Sequence, residues 1–170
     1  MLIRIGLIVM LLGLLLACTP SYNWREVSVA DGAVKAFFPD KPLTQERPLS
    51  YSGHELRFSL TTATVDNALF AVGYAPLPPA LRDAPDKSRG LAASVIGSLY
   101  QNMGAPPPAQ LPELGVPFVI EGKSQQGPTR MRATVWLTSH ALIEGIVMAD
   151  LASFPQQEAD EFLGGLQVAR

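Results

Sequence analysis

From Trp24 to Asp150 the chain repeatedly alternates apolar and polar residues with a period of two, and each run ends at a turn signal. That rhythm suits half-buried β-strands, because successive side chains leave a strand on opposite faces. One stretch breaks it. Leu91, Val95, Leu99 and Met103 fall four apart, with Ala92 and Ile96 beside them, which lays one apolar stripe along a helix. Many strands at hairpin distance and few helices close an antiparallel sheet covered by helices, so the expected fold class is α+β, with a sheet of about six to eight strands.

The runs set an expected order. Trp24 to Val29 and Val34 to Phe38 are joined by Asp31-Gly32, a hairpin signal, and Pro39 and Pro42 end the second strand because proline cannot donate to a ladder. Gln45 to Tyr51, Glu55 to Val65 and Ala68 to Ala75 read as a meander turned at Ser52-Gly53 and Asp66-Asn67. In it Leu56, Phe58 and Leu60 share one face, while Phe70, Val72 and Tyr74 align on the next strand. After the prolines at 76, 78 and 79, Asp83 or Asp86 is placed to cap a helix that Gly104 stops. Pro106, Pro107, Pro108, Pro112 and Pro117 then predict a stiff extended loop.

A second meander follows: Phe118 to Lys123, Thr129 to Thr138 and Ala141 to Asp150, turned at Gln126-Gly127-Pro128 and Ser139-His140. Its middle strand sends Met131, Ala133, Val135 and Leu137 one way. Arg130, Arg132, Thr134 and Trp136 face the other, an amphipathic surface for solvent, a covering helix or a partner. Ser153 with Gln156 three residues later matches a capping box for a last helix whose apolar face is Ala159, Phe162, Leu163 and Leu166.

The first residues have a different character. Met1 to Arg4 is a short positive start, Ile5 to Leu16 is apolar except for two glycines, and Leu15, Leu16, Ala17 and Cys18 close the run. This is the layout of a signal peptide over residues 1–17, and a dozen apolar residues are short of the roughly 20 that a spanning helix needs. The closing four residues resemble the lipobox of bacterial lipoproteins, with Leu15 and Ala17 as cleavage-recognition residues. An uncleaved anchor, or an ordinary secretory signal with an incidental cysteine, are the competing readings. The lipobox resemblance implies a diacylglyceryl group on Cys18, with membrane lipid as the first partner. More than one buried acyl chain then holds the protein stably. Thr19 rather than an acid after the cysteine resembles outer-membrane sorting, facing the periplasm. Residues 18–23 form a tether. Thr19 to Asn23 span less than about 20 Å, which would keep a domain over residues 24–170 near the headgroups.

Composition narrows the function. Cys18 is the one cysteine, so no internal disulfide forms. Without Arg4 the mature segment carries 12 basic against 15 acidic residues, a net charge near −3, and its cations are scattered, which excludes the basic stripe of a nucleic-acid binder. No Gly-x-Ser-x-Gly elbow occurs, and Gly32, Gly90 and Gly97 do not compose a phosphate loop. His54 and His140 sit beside turns, without a second ligand at metal spacing. Glu158, Asp160 and Glu161 complement the positive end of the last helix. Neither a cofactor nor a metal is expected.

Asp31-Gly32, the segment Phe37-Phe38-Pro39-Asp40-Lys41-Pro42, the mid-chain helix and the run Glu158-Ala159-Asp160-Glu161-Phe162-Leu163 together resemble the PsbP-like superfamily. That superfamily includes plant photosystem accessory proteins, a eukaryotic Ran-binding import factor and bacterial DcrB-like lipoproteins. The resemblance implies an antiparallel sheet sandwiched by helices and a non-enzymatic accessory role on a larger assembly. The leading expectation is an envelope lipoprotein that docks on or helps assemble a membrane-proximal protein complex, with Arg130, Arg132 and Trp136 as the partner surface. The alternative is a binder of a small apolar or lipidic ligand between sheet and helix.

Overall fold

The computed structural model describes residues 21–51, 53–124 and 127–169. The signal-peptide and lipidation residues Leu15, Ala17 and Cys18 lie outside them. In chain order the elements are β1 (Arg25–Val29), β2 (Val34–Phe38), β3 (Leu43–Tyr51), β4 (His54–Val65), β5 (Ala68–Pro76), α1 (Pro79–Arg82), α2 (Pro85–Asn102), β6 (Phe118–Ser124), β7 (Gly127–Leu137), β8 (Ala141–Asp150), α3 (Gln156–Gly164) and β9 (Gln167–Val168). The fold is α+β, as expected.

The two meanders join edge to edge into one antiparallel sheet of order β3-β4-β5-β8-β7-β6. β5 and β8 are its centre and pair from Leu69↔Met148 to Pro76↔Ala141. Their sequences are nearly unbroken apolar runs because both of their faces are covered, which leaves no solvent side to hold polar residues. The β4–β5 turn follows the sequence closely: Val65 pairs with Ala68, and Asp66 and Asn67 both take positive φ, 49° and 64°, as a two-residue primed turn requires. Pro48 is tolerated inside β3 because that strand is an edge.

The first hairpin does not extend this sheet. β1, β2 and the short β9 make a separate three-stranded sheet of order β1-β2-β9. Val34, Ala36 and Phe38 are fully buried, so that sheet turns its apolar side onto the other and is a second layer. The two residues of β9 are too few to carry a periodicity. Two cores result. One lies between the six-stranded sheet and α2, with Leu56, Leu91, Ile96 and Leu142; the other lies between that sheet, the small sheet and α3, with Phe38, Phe70, Phe162 and Val147.

Neither expected side-chain cap forms. Ala84 precedes α2, and Asp83 instead ends α1; Pro85 at the first helical position has no N–H to satisfy and brings a preset φ. Likewise Pro155 precedes α3 and Ser153 belongs to a preceding 3-10 turn, while Gln156 reaches forward to Asp160 at 3.3 Å. Of the turn expected at Gln126-Gly127-Pro128, Gln126 lies outside the described residues. Gly127 and Pro128 already pair with Ser124 and Lys123 in the ladder. Gly104, at φ 63°, does end the long helix.

Two close approaches fix α2 across the sheet. A Cβ on Gly122 of β6 would stand 1.8 Å from the Met103 carbonyl oxygen, which accepts the Lys123 N–H at 3.1 Å. Near the other end, a Cβ on Gly90 would stand 2.6 Å from the Tyr51 hydroxyl. The Gly122 contact, backbone against backbone, needs the bare backbone of glycine, whereas at Gly90 the neighbour is the tip of the Tyr51 side chain.

Candidate functional site

β8 carries a single acid in its apolar run, Glu144, between Ile143 and Gly145. Alternation puts Leu142, Glu144 and Ile146 on the face toward α2. Glu144 is 6 % exposed, and among the described residues none donates a hydrogen bond or an ion pair to its carboxyl. Burial alone pushes this carboxyl from 4.5 up to about 7. A charged group removed from water without a partner favours its neutral form.

Its position is set by a neighbour without a side chain. Gly73 is paired with Glu144 across β5 and β8, and a Cβ there would lie 3.1 Å from both Cγ and Oε1 of Glu144 and 2.9 Å from the tip of the Phe58 ring. Glycine thus lets the carboxyl and the ring meet above the strand. They floor a groove of about 300 Å³. One wall is the β3–β4 hairpin, with Leu49, Phe58 and Leu60; the other is α2, with Val95 and Leu99. Ser98 and Asn102 of α2 and Arg47 of β3 supply the polar groups of the lining, and Arg47 is exposed. Concave sites of this kind, apolar with a few converging polar groups and a perturbed acid, are where small molecules bind.

No family model, no curated protein and no solved structure matches this chain. The reading of the site therefore rests on its own chemistry.

The residues singled out from the sequence lie elsewhere. Arg130 donates to Glu121 Oε1 at 2.6 and 3.1 Å and stacks over the Phe154 ring at 5.7 Å; Arg132 pairs with Asp160 on α3. Trp136 packs with Leu166 above Gly145. α3 covers part of that strand face, Arg130 and Arg132 are engaged in ion pairs within the chain, and Trp136, partly buried, lines an opening of about 510 Å³ with Leu114 and Leu166. In the acidic cluster, Asp160 serves that ion pair, Glu161 accepts from Gln157 at 3.0 Å, and Glu158 is left in the first turn of α3. His54 begins β4 and His140 lies in the β7–β8 turn, where its N–H donates to Thr138 Oγ1 at 3.2 Å. Among the described residues no group of three His, Cys, Asp or Glu is placed to hold a metal, and no helix is long and apolar enough to cross a membrane.

Sequence reasoning passed over Glu144, although a signal existed. A lone acid inside a run apolar on both faces marks a central strand with a buried carboxyl.

Proposed function

We propose that this protein is a lipid-anchored, non-enzymatic binding module of the bacterial envelope that holds a small apolar or amphipathic ligand between its sheet and its long helix. The observation that carries the reading is the unpartnered Glu144 carboxyl at the base of an apolar groove. Glu144 is almost wholly removed from water and has no hydrogen-bond partner within the described residues, so a ligand that bonds to its carboxyl displaces no existing side-chain contact. The anchor rests on the lipobox-like Leu15-Leu16-Ala17-Cys18, with an outer-membrane, periplasm-facing position favoured by Thr19. A six-stranded antiparallel sheet with helical cover on each face is compatible with a PsbP-like domain.

A ring cluster also favours a domain held close to its anchor. Tyr22 stacks on Trp24 at 5.9 Å, both meet Phe70 edge-on at 6.1 Å, and the Asn23 N–H donates to the Pro39 carbonyl at 2.7 Å. Packing that begins at Tyr22 leaves three residues, Thr19 to Ser21, between it and Cys18.

The docking role on a membrane-proximal complex stands as a second reading. It is favoured by Leu114, Val116 and Val119, which are 40 to 49 % exposed along the edge strand β6 and the loop before it.

The test is organic extraction of the full-length protein purified from envelopes, with mass spectrometry of the extract and of the intact chain. The expected result is a stoichiometric small molecule together with a diacylglyceryl adduct on Cys18. An empty extract would overturn the ligand reading, and a bare Cys18 thiol or a retained leader would overturn the anchor. In the case of an empty extract, a discrete crosslinked protein at Val119 would support the docking reading.

A further inference from the structure

The groove has a chemical polarity that narrows what fits it, and this inference rests on the ligand-binding reading above. Its floor offers one carboxyl group and its walls offer hydrocarbon. The carboxyl can meet a ligand in two ways: as a neutral acid it donates to an acceptor, and as a carboxylate it receives a donor. Hydrogen bonds to an ionised partner are roughly twice as strong as those between neutral groups. The walls of Phe58, Leu60, Val95 and Leu99 make the surroundings of that bond largely apolar, although the groove is open to solvent on one side. The stronger pairing is therefore the one that ionises Glu144 and brings its counter-charge along.

We infer that the groove binds a small organic amine, with its protonated nitrogen on the Glu144 carboxylate and its apolar body between the β3–β4 hairpin and α2. The size agrees. About 300 Å³ is the lower end of small-molecule sites, enough for one short hydrocarbon body and too little for a two-chain lipid. Asn102 and Ser98 on the helix wall add neutral polar atoms to the lining.

The charged and titratable groups around Glu144 are few. Arg47 enters from β3 and is exposed, so its repulsion of an amine is screened by solvent. The lining residues from β4, α2 and the rest of β8 carry no charge. Between about pH 6 and pH 8, Glu144 is the lining group that changes charge. An amine that needs the carboxylate gains affinity across that range by about tenfold, in proportion to the ionised fraction of a group titrating near 7. A ligand that accepts from the neutral acid loses affinity over the same range.

The experiment is calorimetric titration of the full-length protein in nonionic detergent with hexylamine, hexanol and hexanoate, at about pH 6 and about pH 8. The expected result is binding of hexylamine, strengthened about tenfold at the higher pH, with both the binding and its pH dependence lost in Glu144→Gln. Because that variant removes the charge itself, Gly73→Ala is the second probe. The new methyl group displaces the Phe58 ring and the Glu144 side chain, so hexylamine affinity falls while circular dichroism confirms a folded chain. Hexanol or hexanoate binding as tightly as hexylamine, or hexylamine affinity that is flat or falling with pH, would overturn the amine and leave the groove as a site for another ligand. Binding of none of the three would overturn the groove itself.

Discussion

At the centre of its α3 side the six-stranded sheet is packed with aromatic rings, whereas on its α2 side a single helix crosses it and leaves a groove open above Glu144. Phe70 of β5 is one of those rings. It meets Phe162 of α3 edge-on at 5.4 Å, and Phe162 meets Phe38 of the small sheet at 5.3 Å, with all three fully buried. On the open side the corresponding stretch of β5 carries Gly73, and the side chains around it are half-buried Phe58 and Leu60 with the lone acid Glu144. One strand pair therefore supports a dense core above and a solvated hollow below. The aromatic packing and the proposed ligand site lie on opposite faces of the same sheet.

The largest test of that division is truncation on each side. Phe70→Ala opens a cavity among rings that cannot collapse around it and is expected to cost about 3–5 kcal/mol, measured by denaturant unfolding. Leu60→Ala, at the groove wall, removes a side chain already half exposed and should cost about 1–2 kcal/mol. Equal losses would mean that the groove is as tightly packed as the aromatic core.

Next is the pH dependence that Glu144 imposes. Its carboxyl is raised in the folded protein from 4.5 to about 7, so between those values the unfolded chain releases a proton that the folded chain keeps. Rising pH then favours unfolding over this window, and the effect levels off above it. The stability of the native sequence relative to Glu144→Gln should fall by about 3 kcal/mol between pH 4.5 and 7, read from denaturant midpoints at several pH values. A difference that does not change with pH would place the carboxyl in contact with water or with a donor.

The smallest effect concerns the α3 face. Thr134 is 1 % exposed, and its Oγ1 is the one fully buried side-chain oxygen or nitrogen without a hydrogen-bond partner among the described residues. Thr134→Val keeps the shape and removes the unsatisfied hydroxyl, so a gain of about 1 kcal/mol is expected by thermal or chemical unfolding. A loss would indicate that water reaches this oxygen beneath α3.

Most strand and turn positions could be read directly, because each depends on neighbours in the chain. Val34–Phe38 and Ala141–Asp150 have the expected bounds, and the positive-φ pair Asp66-Asn67 makes the expected turn. The helix caps could not be read. Asp83, Asp86 and Ser153 have the right chemistry, but Pro85 opens the long helix, which leaves Asp83 before it and Asp86 inside it, and Pro155 directly precedes the last helix, beyond Ser153. The candidate site was legible only in part. Leu60, Phe58, Val95 and Leu99 were placed on apolar faces from their spacing alone, whereas Arg130, Arg132 and Trp136 drew notice by being polar or large on a strand whose cover could not be seen.

Periodicity and turn chemistry by themselves determined that this chain makes two antiparallel meanders around one amphipathic helix, because both act between residues a few positions apart. The tertiary structure decided that the first hairpin forms its own layer, that α3 covers the arginine-bearing face, and that Glu144 lies unpaired beneath α2. Those outcomes depend on which faces meet across the sheet. Contacts such as Gly73 with Phe58, or Gly122 with Met103, join residues far apart in sequence, and nothing local in the chain encodes the distance between them.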